Sequence, residues 1–267
     1  SALEWSINEL KTLPFSSRLI RGSHKLIMQG VRGERKSPGN FRESQNWIGG
    51  SSINSATFIP PTHTSLNELM GDLDNFINNK EILLPELLKV ALYHYQFETI
   101  HPFLDGNGRI GRLLIPLYLI SHGILKKPIL YLSDFFERNR AIYYDKLMLT
   151  RKNNDLDQWF IFFLTGIIET SQKGIETFDQ IMQLQKKTEE KIHALGSRSL
   201  KAQKLINHLY GSPFIKAENI SKITEASMPS TYSLISELEK TGLLQEITGA
   251  KRNRLFVFGD YLQLFID

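Results

Sequence analysis

The chain has 267 residues, enough for one large domain or two ordinary ones. Its hydrophobic (41%), aromatic (10%) and charged (22%) fractions are typical of a folded globular protein and exclude a disordered or fibrous chain. It contains no cysteine, which excludes disulfides, thiolate metal sites and a cysteine nucleophile, and its formal net charge of +4 permits an anionic partner without requiring one.

The chain has no segment that predicts a membrane span or a targeting signal. Its longest nearly unbroken apolar run, residues 159–168, is far shorter than the roughly 20 residues that cross a bilayer. No signal peptide opens the chain, and residue 1 is a serine. We therefore expect a fragment of a longer, cytoplasmic protein.

The first zone of the chain, residues 30–63, is punctuated by glycine, proline, asparagine and serine. This composition predicts loops and a short hairpin, with few helices. From residue 65 to about residue 171 the apolar residues recur at helical spacing, which predicts an all-α bundle. Helices are expected to begin near Ser65, Pro85, Gly108, Ser133 and Asp155. Ser65 and Glu68 have the spacing of a capping box. The second helix must end at His101, because Pro102 disfavours the helical conformation in the residue before it.

The remainder of the chain predicts a connecting helix over residues 172–196 and a second domain over residues 197–267. Within that domain, helical patterns at 200–210, 218–226 and 230–242 precede strand-like segments at 244–247 and 255–258, joined by a turn at Thr248-Gly249. Three helices followed by a hairpin resemble a winged helix-turn-helix.

Charge in this second domain does not favour DNA as its partner. The third helix offers Lys240 but also Glu237 and Glu239, while the expected wing supplies Lys251, Arg252 and Arg254. Phosphate contacts dominate DNA affinity, and this mixture of acidic and basic residues is weak for such contacts. DNA binding therefore remains open, and a protein-docking or dimerisation module is at least as consistent with the sequence.

The segment His101–Arg112 (HPFLDGNGRIGR), between the second and third helices, holds the strongest chemical signal. Gly106, Asn107 and Gly108 precede a helix, so their backbone N–H groups and the helix N-terminus can converge on an anion. Arg109 and Arg112 are three residues apart on that helix and share a face, which suits further anionic groups. The pattern favours a polyphosphate ligand.

Two further side chains of the same segment suggest a reaction. Asp105 has little reason to approach phosphates unless a divalent cation lies between them, and Mg²⁺ commonly takes one carboxylate together with phosphate oxygens. A cap for the following helix is the alternative role for Asp105. His101 has a side chain whose ordinary pKa suits a general base at neutral pH, so it could deprotonate an incoming hydroxyl.

The segment resembles the signature of the Fic family, a histidine followed by Pro-Phe-x-Asp/Glu-Gly-Asn-Gly-Arg-x-x-Arg, and every defining position is filled. The resemblance extends upstream over Gly30-Val31-Arg32-Gly33, Pro38-Gly39, the run from Gln45 to Gly49, and Phe58-Ile59-Pro60-Pro61. It implies a mainly α-helical Fic-type bundle with a small β-hairpin flap over residues 49–58, followed by the winged-helix domain. The catalytic domain would then occupy residues 1–171.

The resemblance also implies an activity: transfer of AMP from ATP to a hydroxyl of a target protein, with release of pyrophosphate. His101 would be the base, and Asp105 would hold Mg²⁺ against the phosphates. The nucleotide-binding segment would be Gly106, Asn107, Gly108, Arg109, Ile110, Gly111 and Arg112. An aromatic ring from the region after the motif, Tyr143 or Tyr144 near Asn139, would face the nucleotide.

The flap would position the target protein over the site by strand pairing. Self-modification and a homodimer also remain open. Two alternatives stand beside this interpretation: the same fold transferring or removing a different phosphate-linked group, and a transcription regulator whose Fic-like part only senses nucleotide.

Many Fic proteins are held inactive by a short helix with the pattern Ser/Thr-x-x-x-Glu-Gly/Asn, whose glutamate pairs with the second arginine of the motif. Ser233 and Glu237 have that spacing, but Leu238 follows where glycine or asparagine is required. We therefore expect a de-repressed chain, with any such helix lying upstream of Ser1 and acting on Arg112.

Overall fold

A computed structural model describes residues 1–30, 36–250 and 253–266. Val31, Arg32 and Gly33 of the upstream resemblance, and Lys251 and Arg252 of the expected wing, lie outside the described residues. The chain divides into two compact units, Ser1–Ser171 and Gln172–Asp267.

The first unit is built almost entirely of helices, which confirms the prediction of a mainly α-helical fold. Its helices are α1 (Ala2–Glu9), α2 (Ser17–Ile27), α3 (Leu66–Asn78), α4 (Glu86–Ile100), α5 (Asn107–Ser121), α6 (Ser133–Arg138), α7 (Arg140–Asn153) and the first part of α8 (Leu156–His193). The patterns at Pro85 and Gly108 predicted the beginnings of α4 and α5 to within a residue. Helices α1 and α2 were not predicted, because they lie before residue 65, where the helical spacing of apolar residues begins.

Two local predictions are wrong. Ser65 does cap α3, but its side chain makes no capping hydrogen bond, because it lies in a 3-10 turn, His63–Ser65, and its hydroxyl bonds instead to that of Thr62. The helix expected near Asp155 and the connecting helix over 172–196 are one continuous helix, α8. Nothing in its sequence ends a helix, since it contains no proline and only the isolated glycines Gly166 and Gly174.

Helices α4 and α5 pack against each other in the first unit, and their contact fixes the geometry of the loop between them. Phe97 and Ile110 are fully buried in this core, each contributing about 1.5–3 kcal/mol by leaving water. Trp159 of α8 is also fully buried, and its indole Nε1 donates to the carbonyl of Ala91 in α4 at 3.0 Å. The loop His101–Gly106 is thus held between two well-packed helices.

The second unit contains the last part of α8, then α9 (Ser199–Leu209), β1 (Phe214–Lys216), α10 (Ala217–Thr224), α11 (Met228–Lys240), β2 (Gln245–Glu246), β3 (Leu255–Val257) and α12 (Gly259–Gln263). The three expected helices and the hairpin are confirmed, whereas β1 and α12 were not predicted. The strands form an antiparallel sheet in the order β1-β3-β2, in which Phe214 and Gln245 both face Val257. The winged-helix assignment stays a prediction.

None of the helices in the described parts of the chain combines the length with the apolar character that a bilayer crossing requires.

Candidate functional site

The loop between α4 and α5 requires backbone conformations that few residues adopt. His101 follows the last residue of α4 in the left-handed conformation (φ 50°, ψ 60°), and its N–H donates to the carbonyl of Phe97 at 2.9 Å. Gly106, the N-cap of α5, has φ 82°, and a Cβ there would lie 2.9 Å from the sulfur of Met28. Glycine fits this position because a side chain would face both strain and a clash.

Arg42 holds the loop from outside. This side chain is 2% exposed, and its Nε donates to the His101 carbonyl at 3.0 Å while its Nη2 donates to the Pro61 carbonyl at 2.5 Å. The Arg42 backbone N–H also donates to the Pro102 carbonyl at 2.8 Å. These bonds stabilise the unusual conformation of His101. No local pattern in the sequence predicts them, because Arg42 is 59 residues from His101 and 19 from Pro61.

His24 braces the same loop from α2. Its Nδ1 accepts the N–H of Gly39 at 2.8 Å, so its Nε2 carries the proton and donates to the Asp105 carbonyl at 2.9 Å. The imidazole also stacks on Phe103, with ring centres 3.8 Å apart. No local sequence pattern predicts this contact, because His24 and Asp105 are 81 residues apart.

The His101 side chain is mostly buried, with 19% of its area exposed. Burial lowers the pKa of His101 to about 4, and the positive charges of Arg151 and Arg42 act in the same direction. The imidazole is therefore neutral at physiological pH. A neutral imidazole can accept a proton, which is what a general base must do.

Glu98 is a buried carboxyl one helical turn before His101. Its Oε2 lies 3.9 Å from His101 Nδ1, and its Oε1 has no hydrogen-bond partner within the part of the chain that the structure describes. Burial raises the pKa of Glu98 to about 7, while the charges of Arg112 and Arg151 oppose that rise. Gly111 of α5 packs directly on it, since a Cβ there would lie 2.4 Å from Glu98 Oε1. No local pattern predicts this burial, because Gln96 and Thr99 lie within two residues of Glu98 in the same helix.

The first turn of α5 presents backbone N–H groups at the loop. The first intrahelical bond of this turn runs from Ile110 N to the Gly106 carbonyl at 3.0 Å, so the N–H groups of Asn107, Gly108 and Arg109 precede the helical ladder. The Asn107 side chain is buried and forms two 2.8 Å bonds with the backbone of Phe103. It braces the loop rather than pointing at a ligand.

Asp105 lies at the exposed side of this turn, with 52% of its side chain accessible. Its Oδ1 accepts the N–H of Gly106 at 2.6 Å and lies 3.6 Å from Arg109 Nη2. The other carboxylate oxygen is left available for a cation. No cluster of three or more metal-ligating side chains occurs within residues 1–30, 36–250 and 253–266. Any divalent ion held here by this chain would therefore need most of its ligands from elsewhere, as Mg²⁺ obtains from phosphates and water.

The two arginines of the motif differ in their surroundings. Arg109 is 38% exposed, and its Nη2 contacts the sulfur of Met28 at 3.2 Å as well as Asp105. Arg112 extends beside Gly108, whose Cβ would lie 3.1 Å from Arg112 Nη1. Ile110 is fully buried in the core, and the Gly111 carbonyl accepts a bond from His94 Nδ1 at 3.0 Å. Both of these predicted site residues therefore contribute to packing of α5.

Of the two aromatic candidates, only one has an accessible ring. Tyr143 is 4% exposed, and its hydroxyl donates to His94 Nε2 at 3.0 Å, which places its ring in the core. Tyr144 is 43% exposed and lies near the Arg140 guanidinium. Asn139 separates α6 from α7, and its side chain donates to the Phe135 carbonyl at 3.0 Å. Tyr144, and not Tyr143, can offer a ring face to a ligand.

The predicted flap is a hairpin held by one antiparallel bridge between Ile48 and Phe58. Ile48 N donates to the Phe58 carbonyl at 2.9 Å, and Phe58 N donates back at 3.1 Å. Gly49 and Gly50 both have φ above 70°, and a Cβ on Gly50 would lie 2.2 Å from the Ser55 carbonyl oxygen. The tip, residues 51–55, is exposed.

Part of the chain is similar in sequence to known proteins. Residues 14–119 match the model of the Fic/DOC family. A protein adenylyltransferase Fic of Aedes aegypti is 33% identical over 117 residues, 43% of this chain and 21% of that protein. A probable protein adenylyltransferase of Aquifex aeolicus is 35% identical over 88 residues, 33% of this chain and 26% of that protein. The matches thus span only about a fifth to a quarter of these relatives.

Solved structures show the fold. A Fic family protein from Desulfovibrio desulfuricans superposes with a TM-score of 0.57 at 18% identity, over 96% of this chain and 72% of that one. A Fic domain containing signaling protein from Bacteroides thetaiotaomicron superposes with a TM-score of 0.52 at 22% identity, over 66% of this chain and 68% of the other.

Proposed function

We propose that this chain, whose residues 14–119 match the Fic/DOC family model, is a protein adenylyltransferase, which transfers AMP from ATP to a hydroxyl of a target protein. The observation that supports this most is the pairing of a neutral, buried His101 with the free N–H groups at the start of α5. The first part is suited to activate a hydroxyl and the second to bind phosphate.

In this reaction His101 takes the proton from a Ser, Thr or Tyr hydroxyl of the target. The hydroxyl oxygen then forms a bond to the α-phosphorus of ATP, and the bond from that phosphorus to the oxygen bridging the α- and β-phosphates breaks. Pyrophosphate leaves with the electron pair of the broken bond. The imidazolium returns its proton to water, and the low pKa of His101 favours that return.

The start of α5 binds the triphosphate. Backbone N–H groups of residues 107–109 donate to phosphate oxygens, and the helix dipole adds favourable charge at the same end. Arg109 and Arg112 neutralise the phosphates that leave as pyrophosphate. Tyr144, with its exposed ring, is the candidate to face the nucleotide base.

Asp105 is the residue that would hold Mg²⁺. A single half-exposed carboxylate with one oxygen engaged by Gly106 N–H fits an ion whose remaining ligands are phosphate oxygens and water. Such an ion would supply charge neutralisation at the phosphates.

The flap is the expected docking strand for the target. Phe58 directs both its N–H and its carbonyl to Ile48, so the backbone of Ile59 next to it faces away from the hairpin. Ile59 has no backbone hydrogen bond among the described residues, and an extended segment of a target can pair there. Recognition through the main chain leaves the choice of target sequence wide.

Residues 197–267, within the second unit, are proposed to be a winged-helix module, and a protein-docking or dimerisation role fits its charge at least as well as DNA binding. Arg254 of the expected wing lies within 3.8 Å of carboxylate oxygens of Glu239 and Glu246, which neutralise it. A regulator that only senses nucleotide is the alternative function.

Incubation with ATP labelled on the α-phosphate tests the proposal. We expect covalent label on protein with the parent chain and with His208→Ala, an exposed histidine of the second unit, and none with His101→Ala. Label that persists at the parent rate in His101→Ala, or its absence in all three proteins, would contradict the proposed function.

A further inference from the structure

Arg151, in the last turn of α7, joins two parts of the site that are distant in sequence. Its Nε donates to the Thr99 hydroxyl at 3.1 Å, and its Nη2 donates to the Glu98 carbonyl at 3.2 Å. Both acceptors belong to the last turn of α4, which ends at Ile100, immediately before His101. A positive charge at a helix C-terminus is favourable, because the free carbonyls there carry partial negative charge.

The Arg151 guanidinium also contacts the flap. Arg151 Cζ lies 3.8 Å from the centre of the Phe58 ring, which is the distance of a close cation–π stack. Phe58 is the flap residue that pairs with Ile48. The guanidinium thus stacks its face on the Phe58 ring of the flap and donates hydrogen bonds from its edge to the last turn of α4. A lysine ammonium cannot reproduce this combination.

Other bonds hold the residues on either side of the flap. The Asn46 side chain donates to the Phe103 carbonyl of the His101–Gly106 loop at 3.1 Å. Arg42 links the Pro61 carbonyl to that of His101, and the Gln45 side chain bonds the Pro60 carbonyl at 2.9 Å. These contacts lie beyond the paired part of the hairpin. At Phe58 itself, the Arg151 stack ties the strand to α4 and α7.

We propose that Arg151 is a positioning residue for the protein substrate, which sets the flap strand at a fixed place relative to His101. This inference rests on the proposed function. A target hydroxyl delivered by the flap must meet the base within a few tenths of an ångström, and a misplacement of about 1 Å costs on the order of 100-fold in rate. Water does not need the flap to reach the α-phosphate, so we expect hydrolysis of ATP to AMP to be independent of Arg151.

The experiment compares two fates of ATP labelled on the α-phosphate: label on protein and label released as free AMP by hydrolysis. A pool of unstructured peptides containing Ser, Thr and Tyr serves as acceptor together with the chain itself. The assay runs at pH 8, where His101 is neutral with or without the charge of Arg151. We expect Arg151→Met, Arg151→Lys and Phe58→Leu each to lower the ratio of protein label to free AMP by about 10-fold or more, with hydrolysis unchanged.

Two controls separate positioning from a general structural effect. Phe58→Tyr keeps the ring and should restore most of the ratio that Phe58→Leu loses. Arg138→Lys changes an exposed arginine of α6 that forms an ion pair with Asp134, and it should keep the parent ratio. If Arg151→Met lowers protein label and hydrolysis equally, or lowers neither, the positioning role is wrong.

Amide hydrogen exchange at Ile48 and Phe58 gives a readout that needs no acceptor. A partly buried cation–π stack is worth about 1 kcal/mol, so its loss should speed exchange at these amides about 5-fold in Arg151→Met and Phe58→Leu. If the parent transfers no AMP, the proposed function fails, but amide exchange still tests whether Arg151 holds the flap in place. Unchanged exchange in both variants would overturn that positioning role.

Discussion

Glu98→Gln is the substitution that most sharply tests the electrostatics of the site. Burial raises the pKa of this carboxyl from 4.5 to about 7, and glutamine has nearly the shape of its protonated form. The folded state therefore binds the proton more tightly than the unfolded state does. Below pH 4.5 the carboxyl is protonated in both states and does not change the free energy of unfolding. As the pH rises towards 7, ionisation of the buried Glu98 lowers the free energy of unfolding, and above pH 7 this loss is constant.

The magnitude follows from the two pKa values. At about 1.4 kcal/mol per pKa unit, the difference between 4.5 and about 7 corresponds to a free-energy cost of about 3 kcal/mol above pH 7. Glutamine does not ionise and avoids this cost. We expect Glu98→Gln to match the parent in free energy of unfolding near pH 4.5 and to exceed it by about 3 kcal/mol at pH 8.

Urea unfolding at the two pH values measures the difference. Tryptophan fluorescence reports on the first unit alone, because the three tryptophans are Trp5, Trp47 and Trp159. Other titrating groups cancel when the variant is compared with the parent at each pH. An equal difference at both pH values, or a less stable Glu98→Gln at pH 8, would refute the reasoning.

Further outcomes are expected. His101→Ala should lower AMP transfer by at least about 100-fold while ATP affinity, measured by calorimetry, stays near the parent value. The pH profile of transfer tests the pKa of His101, which is about 4. In the Glu98→Gln variant, transfer should fall less than 2-fold between pH 8 and pH 5.5, whereas a fall of about 10-fold would show an ordinary histidine pKa. Asp105→Ala should abolish activity together with its response to Mg²⁺, so a titration curve like that of the parent removes Asp105 from the metal site. Gly50→Ala should disrupt the flap turn through strain and its contact with Ser55, which amide exchange at Ile48 detects, whereas Gly71→Ala, which meets no atom within 4 Å, should leave that exchange unchanged.

The sequence predicted those parts of the site that depend on local physics. Pro102 disfavours the helical conformation in the residue before it, so α4 ends at Ile100 and His101 lies outside the helix. Gly106 supplies the positive φ that the start of α5 requires. Both effects act within a few residues. The loop and the helix N-terminus could therefore be placed without a structure.

The supports of the site could not be predicted, because they come from distant segments. Arg42, His24 and Arg151 bond backbone groups that lie between about 50 and 80 residues away in sequence. No periodicity or spacing records such pairings. Tyr143 illustrates the same limit: only packing shows that its ring is buried against His94.

Transfer of AMP to protein is the central claim, and the position of the label tests it most directly. Parallel reactions receive ATP labelled on the α-phosphate or on the γ-phosphate, and the modified protein is identified by its intact mass. We expect α-label on protein, no γ-label, a mass increase of one AMP on a Ser, Thr or Tyr, and one pyrophosphate for each AMP that is transferred to protein or released by hydrolysis. Protein that gains the γ-label, or that binds ATP without gaining either label, would contradict it.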